Sequence, residues 1–436
     1  MYNHTKKDNI FRLLDQDGPF ATEDTVPQIT LFSPYKRLLC RKLQDARLST
    51  RYRIVRDQIF ELLEISSFSQ IQQLIGDKKK RQTISCRAHN LLARMHGFGN
   101  DEYDYTAKIA TYSKTADAVI RYMQRAVLVP YASYLDINSK IDTVNNPVDL
   151  LLIYFDDRYH KKARFEAKRK LVLMGLIASI EQRERESEIE HKFSRFLDFL
   201  NKYVLSQTAK IGEREPAFLL SQHSAEDFSC NKVDVLTWEN ADKLPLGPLI
   251  KKTLVNRLYF YWKKQKTPIY IIVRQKDPVA KIIKLLRKDE ENPDVAVADE
   301  LGLMGVLDSI KEVRIFQKHL VASATRAGSF LTLEDVSDSL ENGCLDSGNT
   351  GSCSSTPMMK FFARMEGMRV EFILHTNKSY LDYIYQRDVA HSEYEVRRLF
   401  DSGVLDLLFP KDIYLLDTKT IRDDLLRRFR QQIETE

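Results

Sequence analysis

Three short apolar stretches alternate with helix-like stretches between residues 269 and 394, and this order limits the fold more than any other feature of the chain. Residues 269–273 are β-branched or aromatic, and after a break at Asp-Pro a basic, helix-like stretch runs to residue 288. Residues 299–308 and 368–376 give two further strand patterns, each followed by a helical pattern. Strands that alternate with helices predict a mixed sheet of about five strands with helices on its faces.

The three strand patterns carry charged residues of the kind that nucleotide chemistry uses. The first ends at Arg274 and Lys276, the second is bounded by Asp299 and Asp308, and the third carries Glu371. Cations gather the phosphates of a nucleotide, and carboxylates hold the Mg²⁺ that accompanies it. The pattern therefore suits a Mg-nucleotide site. The alternative is that Asp299 and Asp308 cap a strand and that Glu371 faces solvent.

Composition limits the number of domains, the kinds of partner and the cellular compartment of the protein. The chain has 436 residues, 43% of them hydrophobic and 10% aromatic, so it can bury large cores and has room for two or three domains. Lys and Arg total 67 against 61 Asp and Glu, a net charge of +6 that permits polyphosphate or RNA binding without requiring it. The 5 cysteines are scattered, which favours a reduced, intracellular compartment. They form no CxxC pair, which argues against a zinc site. No apolar run approaches about 18 residues, so neither a signal peptide nor a membrane span is expected.

The periodicity of the chain predicts its division into domains. Residues 1–35 form an irregular lead-in, and residues 36–206 show helical spacing throughout, which predicts an all-α domain. Residues 207–235 are polar and predict a linker. A second domain then covers 236–410, and a C-terminal helical tail covers 411–436.

Within the second domain, local patterns predict individual elements. Residues 249–264 place aromatic side chains among lysines at helical spacing, and a core-facing helix is favoured over a nucleic-acid surface. Residues 328–357 are rich in Ser, Gly, Asn and Asp and predict a long mobile insertion. Residues 359–364 and 368–376 predict a hairpin, covered by a helix at 377–400.

Two histidines of the first half, His89 and His96, lie two helical turns apart and are candidates for a shared metal ion. No acidic cluster stands near them in the sequence. The spacing therefore favours packing or surface histidines over a metal site.

The order of blocks in 269–394 resembles the synthetase domain of the RelA/SpoT family of alarmone synthetases. The residues that match the family's motifs are, in chain order, Arg274, Lys276, Asp277, Pro278, Lys284, Asp299, Gly302, Asp308, Val370, Glu371, Thr376, Ala390, His391 and Tyr394. The positions that depart from them are Ala280 for a serine, Met304 for an arginine, Ile373 for a glutamine and His375 for an arginine.

The resemblance implies a divergent Mg-dependent pyrophosphotransferase that moves a pyrophosphoryl group from ATP to a hydroxyl of a nucleotide or an RNA. It implies that Asp299 and Glu371 are catalytic and hold Mg²⁺, and that Glu371 shares the metal or takes the proton of the attacking hydroxyl. The residues implied to bind the nucleotide and its phosphates are Arg274, Lys276, Lys281, Lys284, His375 and His391. The implied fold class is α+β, an all-α domain followed by a mixed-sheet, nucleotidyltransferase-like domain with flanking helices. The family's histidine and aspartate hydrolase pattern is not found in the first half.

One part of the family pattern has no counterpart here. The segment Asn-Gly-Tyr-x-Ser-x-His carries a tyrosine that stacks on the acceptor base, and the Asn-Gly sites at 342–343 and 349–351 lack an aromatic residue. Guanine nucleotides are therefore expected to be poor acceptors. A second function stays open, a catalytically inactive descendant that binds a nucleotide or a regulatory partner, because the replaced positions line nucleotide pockets in the family. A protein partner of the helical half and a cytoplasmic location are also expected, and delivery into a host cell stays open.

Overall fold

The computed structural model describes residues 57–67, 70–95, 102–128, 140–156, 158–205, 211, 215–241, 247–288, 292–297, 301–341, 356–365, 367–388 and 390–435. The lead-in at 1–35, His96, Asp299 and both Asn-Gly sites lie outside these residues. The described chain is α+β, as the sequence predicts, and contains an 8-stranded mixed sheet. It divides into two compact units.

The helices are, in chain order, α1 (Ile71–Gly76), α2 (Lys78–Met95), α3 (Glu102–Tyr122), α4 (Pro147–Phe155), α5 (Lys161–Glu186), α6 (Ile189–Phe199), α7 (Trp238–Ala241), α8 (Pro278–Lys288), α9 (Asp294–Val297), α10 (Ile310–Arg326), α11 (Asn377–Tyr385), α12 (His391–Asp401), α13 (Val404–Leu408), α14 (Lys411–Tyr414) and α15 (Thr418–Thr435). Residues 57–63 are also helical. A π-helix continues α3 at Met123–Leu128, and another continues α6 at Leu200–Val204.

The strands are β1 (Pro216–His223), β2 (Cys230–Thr237), β3 (Ile250–Trp262), β4 (Gln265–Gln275), β5 (Leu301–Leu307), β6 (Leu331–Asp338), β7 (Met359–Met365) and β8 (Met368–Thr376). They form one sheet in the order β2-β1-β3-β4-β5-β8-β7-β6. The pair β5–β8 is parallel, and the other neighbours are antiparallel.

The helical unit contains the described residues up to Arg183 together with Pro278–Val295 and Ser402–Asp417. One of its cores joins the helical residues 57–63 to α1, α2 and α4, and its most buried members include Leu63, Leu74 and Ile84. Helix α4 begins at the cap residue Asn146, whose side chain accepts from the backbone N–H of Val148 at 2.8 Å. Among the described residues from 57 to 205, no strand occurs and the regular elements are helices.

The sheet unit contains Glu184–Asp277, Ala296–Asp401 and Thr418–Glu436. On one face of the sheet, α6 and α10 cover a core that includes Phe196, Phe316 and Phe372. On the other face, Tyr380 and Leu381 of α11 pack over part of the central strands. Because side chains alternate along a strand, β3, β4 and β5 each contribute apolar side chains to the cores on both faces.

Both strands of the parallel pair lead directly into capped helices. Ser309 after β5 and Thr376 at the end of β8 each form a capping box, with Glu312 and Ser379 respectively. The predicted strands at 269–273, 299–308 and 368–376, the hairpin of β7 and β8 and the helix after residue 310 are confirmed. The predicted helix at 377–400 is two helices, α11 and α12.

The predicted helix at 249–264 is wrong, because this stretch is strand β3. Its apolar residues fit both a helical spacing and an alternating one, and such short runs are ambiguous from the sequence alone. Leu258 and Phe260 belong to one core, and Val255 belongs to the other. The flanking strands β1 and β4 decide the outcome, since they pair with both edges of β3.

The predicted linker at 207–235 is also wrong over most of its described length, because β1 and most of β2 lie within it. Polar residues suggested a linker, but Ser221 and His223 are buried, and their side chains hydrogen-bond at 2.8 Å. Strand β6 likewise lies inside the predicted insertion at 328–357. Together with β3, four of the 8 strands were therefore misread, and the sheet is larger than the predicted five or so strands. The compact units also differ from the predicted domains, since 278–295 and 402–417 belong to the helical unit.

Gly305 of β5 lies opposite Leu374 of β8, where the two strands leave no room for a side chain. A Cβ atom at this position would approach Cδ2 of Leu374 to 2.8 Å and Cδ1 of Ile269 to 3.3 Å. Leu374 and Ile269 are both fully buried, so neither has free space to move into.

We expect Gly305→Ala to lower the free energy of unfolding by about 1–3 kcal/mol, because it overpacks this contact. The matched control is Gly175→Ala within α5, where a Cβ would meet nothing within 4 Å. That change is expected to leave stability unchanged or to raise it by up to about 1 kcal/mol, since alanine favours helix. Urea unfolding of both variants measures the difference, and an equal loss in both would contradict this account of Gly305.

Candidate functional site

The strands predicted to carry the site are neighbours in the sheet. In the order β4-β5-β8, Arg274 pairs with Gly302, and Gly302 pairs with Glu371. Two strand spacings separate the backbones at 274 and 371, which is about 10 Å. The predicted adjacency of these strands is therefore confirmed. Asp299 precedes β5 by two residues and lies outside the described residues.

Glu371 is a buried carboxylate on the face of the sheet opposite the aromatic core. Its residue is 8% exposed, and Oε1 lies 2.9 Å from Nζ of Lys360 on β7. Phe372, the next residue, belongs to the core on the other face. Burial of a carboxylate is costly unless a cation balances it, and Lys360 supplies that cation.

A strip of charged side chains continues from Glu371 towards the edge strand β6. Phe362 is the cross-strand partner of Glu371, so both lie on the same face. The Arg369 guanidinium lies 3.4 Å from the centroid of the Phe362 ring, and its nitrogens lie 3.2 Å from Glu334 and 2.7 Å from Asp335. We call Glu371, Lys360, Phe362, Arg369, Glu334, Asp335 and Arg364 the polar strip.

The backbone of β6 contributes to this arrangement. The register of β6 against β7 shifts between Glu334 and Ser337, and Asp335 has a φ of 50°. A bulge of this kind redirects side chains at the edge of a sheet. In β6 the bulge includes Asp335, and the side chain of Asp335 accepts a hydrogen bond from Arg369.

The four cations predicted to bind phosphates do not belong to one compact unit. Arg274 and Lys276 are in the sheet unit, whereas Lys281 and Lys284 lie on α8 in the helical unit. Lys281 is 3% exposed. Helix α8 packs against α3 within that unit. A cationic set made of all four is therefore not assembled within either unit.

The two histidines predicted to bind the nucleotide have different surroundings. His375 is fully buried, with Oγ of Ser379 3.4 Å from Nδ1 and the Tyr383 ring centroid at 5.3 Å. Burial lowers the pKa of its imidazole from 6.5 to about 4, so it carries no positive charge at neutral pH. This placement gives no support to a phosphate-binding role for His375. His391, at the start of α12, stacks on Tyr383 with 5.0 Å between ring centroids.

The described part of the site does not make a magnesium site by itself. Among the described residues, which do not include Asp299, no group of 3 or more His, Cys, Asp or Glu residues could hold a metal ion. Glu371 is a hard oxygen ligand of the type that Mg²⁺ accepts, but Lys360 already neutralises it. His89, in the helical unit, has a pKa lowered by burial, in keeping with a packing role.

Sequence reasoning missed most of the polar strip. Lys360, Phe362 and Arg364 alternate along β7, and this period-2 pattern was available in the sequence as a signal of one face. Glu334 and Asp335 lie in the stretch read as a mobile insertion. Their contacts with Arg364 and Arg369 depend on the pairing of β6 with β7.

Comparison of the chain with protein-family models, curated proteins and solved structures finds no match. No helix in the described part of the chain is both long and apolar enough to cross a membrane.

We expect Lys360→Met to lower the free energy of unfolding by about 3–5 kcal/mol near neutral pH, because it leaves the buried Glu371 carboxylate without its cation. The double variant Lys360→Met/Glu371→Gln should recover most of this loss, since the lone charge is gone. Denaturant unfolding of the single and double variants measures the coupling. Additive losses would mean that the ion pair does not stabilise the fold.

We expect the stability that His375 confers to be fully present above pH 6.5 and to fall by about 3 kcal/mol as the pH drops to about 4. The reason is that the unfolded imidazole binds a proton at a pH where the folded one stays neutral. His223 and His319 are also buried with lowered pKa values and act in the same direction. His375→Gln should remove the largest share of this pH dependence in urea unfolding.

His191→Gln is the matched control for this measurement, because His191 is exposed on α6. Its pH dependence should follow that of the parent protein. A parent protein whose stability does not change between these pH values would contradict the role given to His375.

Proposed function

We propose that the sheet unit is the core of a divergent ATP-dependent pyrophosphotransferase of the nucleotidyltransferase type, resembling the RelA/SpoT synthetases. The observation that carries this proposal is the adjacency of β4, β5 and β8, with Arg274, Gly302 and Glu371 in one row. Three motif positions separated by about 100 residues of chain are neighbours in the sheet, as a shared site requires. The acceptor would be a hydroxyl of a nucleotide or of an RNA end.

The proposed reaction requires a group that accepts a proton, and Glu371 is the group proposed for this role. The acceptor oxygen attacks the β-phosphorus of ATP, the bond from that phosphorus to the oxygen bridging the α- and β-phosphates breaks, and AMP leaves. The acceptor hydroxyl loses its proton, and in this proposal the Glu371 carboxylate would take it. Exchange of Lys360 from Glu371 to a phosphate oxygen would free the carboxylate for this step and place a cation on the developing charge.

The proposal includes Mg²⁺, and the carboxylates of Asp299 and Glu371 would bind the ion together. Bound there, it would neutralise phosphate oxygens, as it does in phosphoryl transfer generally. Arg274 and Lys276, from the sheet unit, are the proposed phosphate-binding cations. Lys281, Lys284, His375 and His391 are not assigned a role in the reaction.

A second candidate function is a binding or regulatory module without catalysis, in which the helical unit engages a protein partner. The Glu371–Lys360 ion pair favours it, because a satisfied buried pair explains both residues without a reaction. Two residues further along the same two strands, and on the same face of the sheet, Met304 pairs with Ile373, and both side chains are apolar. An apolar row beside the carboxylate offers no further ligand for a metal or a phosphate.

The test is turnover of labelled ATP by the purified full chain with Mg²⁺ and a panel of nucleotides and RNA ends. If the proposal holds, AMP and a pyrophosphorylated acceptor form together, and EDTA stops the reaction. Glu371→Gln and Asp299→Asn should each lower the rate by at least about 100-fold, because a carboxamide can neither hold the metal nor accept the proton. Guanine nucleotides should be weak acceptors in this panel.

Asp234→Asn is the matched control, an acidic residue of the edge strand β2 whose side chain is 49% exposed. It should leave the rate unchanged. ATP binding without turnover would favour the module without catalysis. Absence of ATP binding at about millimolar concentration, with the fold intact by circular dichroism, would contradict the pyrophosphotransferase proposal.

A further inference from the structure

The two edge strands of the sheet, β2 and β6, differ in regularity. Strand β6 carries its bulge between Glu334 and Ser337, and the two acidic residues at the bulge pair with arginines. Bulges and charged side chains protect the edge of a sheet from pairing with another chain. Strand β2, by contrast, pairs with β1 without interruption from Lys232 to Thr237. Of the two edges, the β2 edge is therefore the one shaped to accept a further strand.

The outer edge of β2, the edge opposite β1, has no strand beside it in the described part of the chain. Residues 231–236 form no backbone hydrogen bond with a described element other than β1. About half of the N–H and C=O groups of a strand point to each of its edges. Because β2 contains no proline, every residue of the strand carries an N–H group, and the outward groups match those of a new strand.

The helices next to β2 lie against the sheet and not beyond its edge. Val233 packs on one face, against the core to which α11 contributes. Helix α7 follows β2 directly, and the ring centroid of its Trp238 lies 5.3 Å from that of Phe218 on β1, so the chain turns back towards the sheet. The side chains of Lys232 and Asp234 are 67% and 49% exposed. The middle of β2 is therefore accessible from outside.

The two charged residues of β2 make its sequence complementary to itself. Lys232 and Asp234 lie on one face of the strand, with Nζ 2.8 Å from Oδ2. If two copies of β2 pair antiparallel about Val233, Lys232 of each copy lies opposite Asp234 of the other. Centring the pair on Asp234 or on Lys232 would instead place like charges opposite each other. Opposite charges across a strand pair stabilise it and like charges destabilise it, so the charges favour the pairing about Val233.

We propose that the outer edge of β2 pairs with the same edge of a second copy of this chain, antiparallel and centred on Val233. Residues 230–236 of each copy would pair through about 6–8 backbone hydrogen bonds, and the two sheets would become one. The interface is two-fold symmetric, since the same residues serve on both sides. The proposal does not depend on the proposed reaction, because four strands separate β2 from β8.

Sedimentation velocity of the full chain, from about 1 to 300 µM, measures the association. A pair of single strands buries less than the roughly 1,200 Å² of a standard interface, so the dimer should be weak, with a dissociation constant on the order of 10–100 µM. A chain that stays monomeric at about 300 µM would overturn the proposal.

Charge reversal at the two exposed positions tests the register. Asp234→Lys and Lys232→Asp should each weaken self-association by at least about tenfold, because each change places like charges opposite each other twice. An equimolar mixture of these two variants should associate as tightly as the parent protein, since every opposed pair is again of opposite sign. The double variant Lys232→Asp/Asp234→Lys should likewise recover the dimer.

Asp401→Lys is the matched control, the same charge reversal at the end of α12, where the side chain is 68% exposed. It should leave self-association unchanged, and circular dichroism of all variants checks their folding. A dimer that Asp234→Lys and Lys232→Asp leave intact would place the interface elsewhere and overturn the proposal. A mixture of the two folded variants that fails to associate would overturn the pairing about Val233.

Discussion

The parallel pairing of β5 with β8 is the constraint on which the sheet unit depends. A hairpin cannot join parallel strands, and here α10, β6 and β7 lie between them in the chain. The register of this pair is tied to the hydrophobic pattern, because Phe372 lies in the aromatic core and Glu371 on the opposite face. A slip of one residue would bury the carboxylate among aromatic rings, so the same forces that pack the core also hold Glu371 beside Gly302.

Buried charges recur in both units, and each connects separate elements. Lys360 of β7 balances Glu371 of β8, and Tyr414 of α14 bridges Glu166 and Arg169 of α5. In the sheet unit, the fully buried Glu393 of α12 contacts Arg430 of α15 at 3.0 Å. Breaking such a pair leaves a lone buried charge, so these contacts specify which elements pack together even where they add little net stability.

Much of the centre of the sheet could be predicted from the sequence, whereas its edges could not. The runs that became β4, β5, β7 and β8 are dense in apolar residues, and turn signals bound them, so their strand character is local. Strand β3 was misread because its apolar spacing fits two periods. Strands β1, β2 and β6 carry polar residues, and some of their partners, as for Glu334 of β6 with Arg364 of β7, come from the folded sheet.

The sequence by itself determined the α+β fold class, the helical character of the described residues from 57 to 205 and the candidate carboxylate Glu371, because periodicity and residue type are local properties. Only the tertiary structure decided that Lys360 meets Glu371, that His375 is buried and neutral, and that the proposed cations fall in two units. The physical reason is that charge, burial and protonation depend on neighbours brought together by strand register and helix packing. No stretch of sequence contains those neighbours in advance.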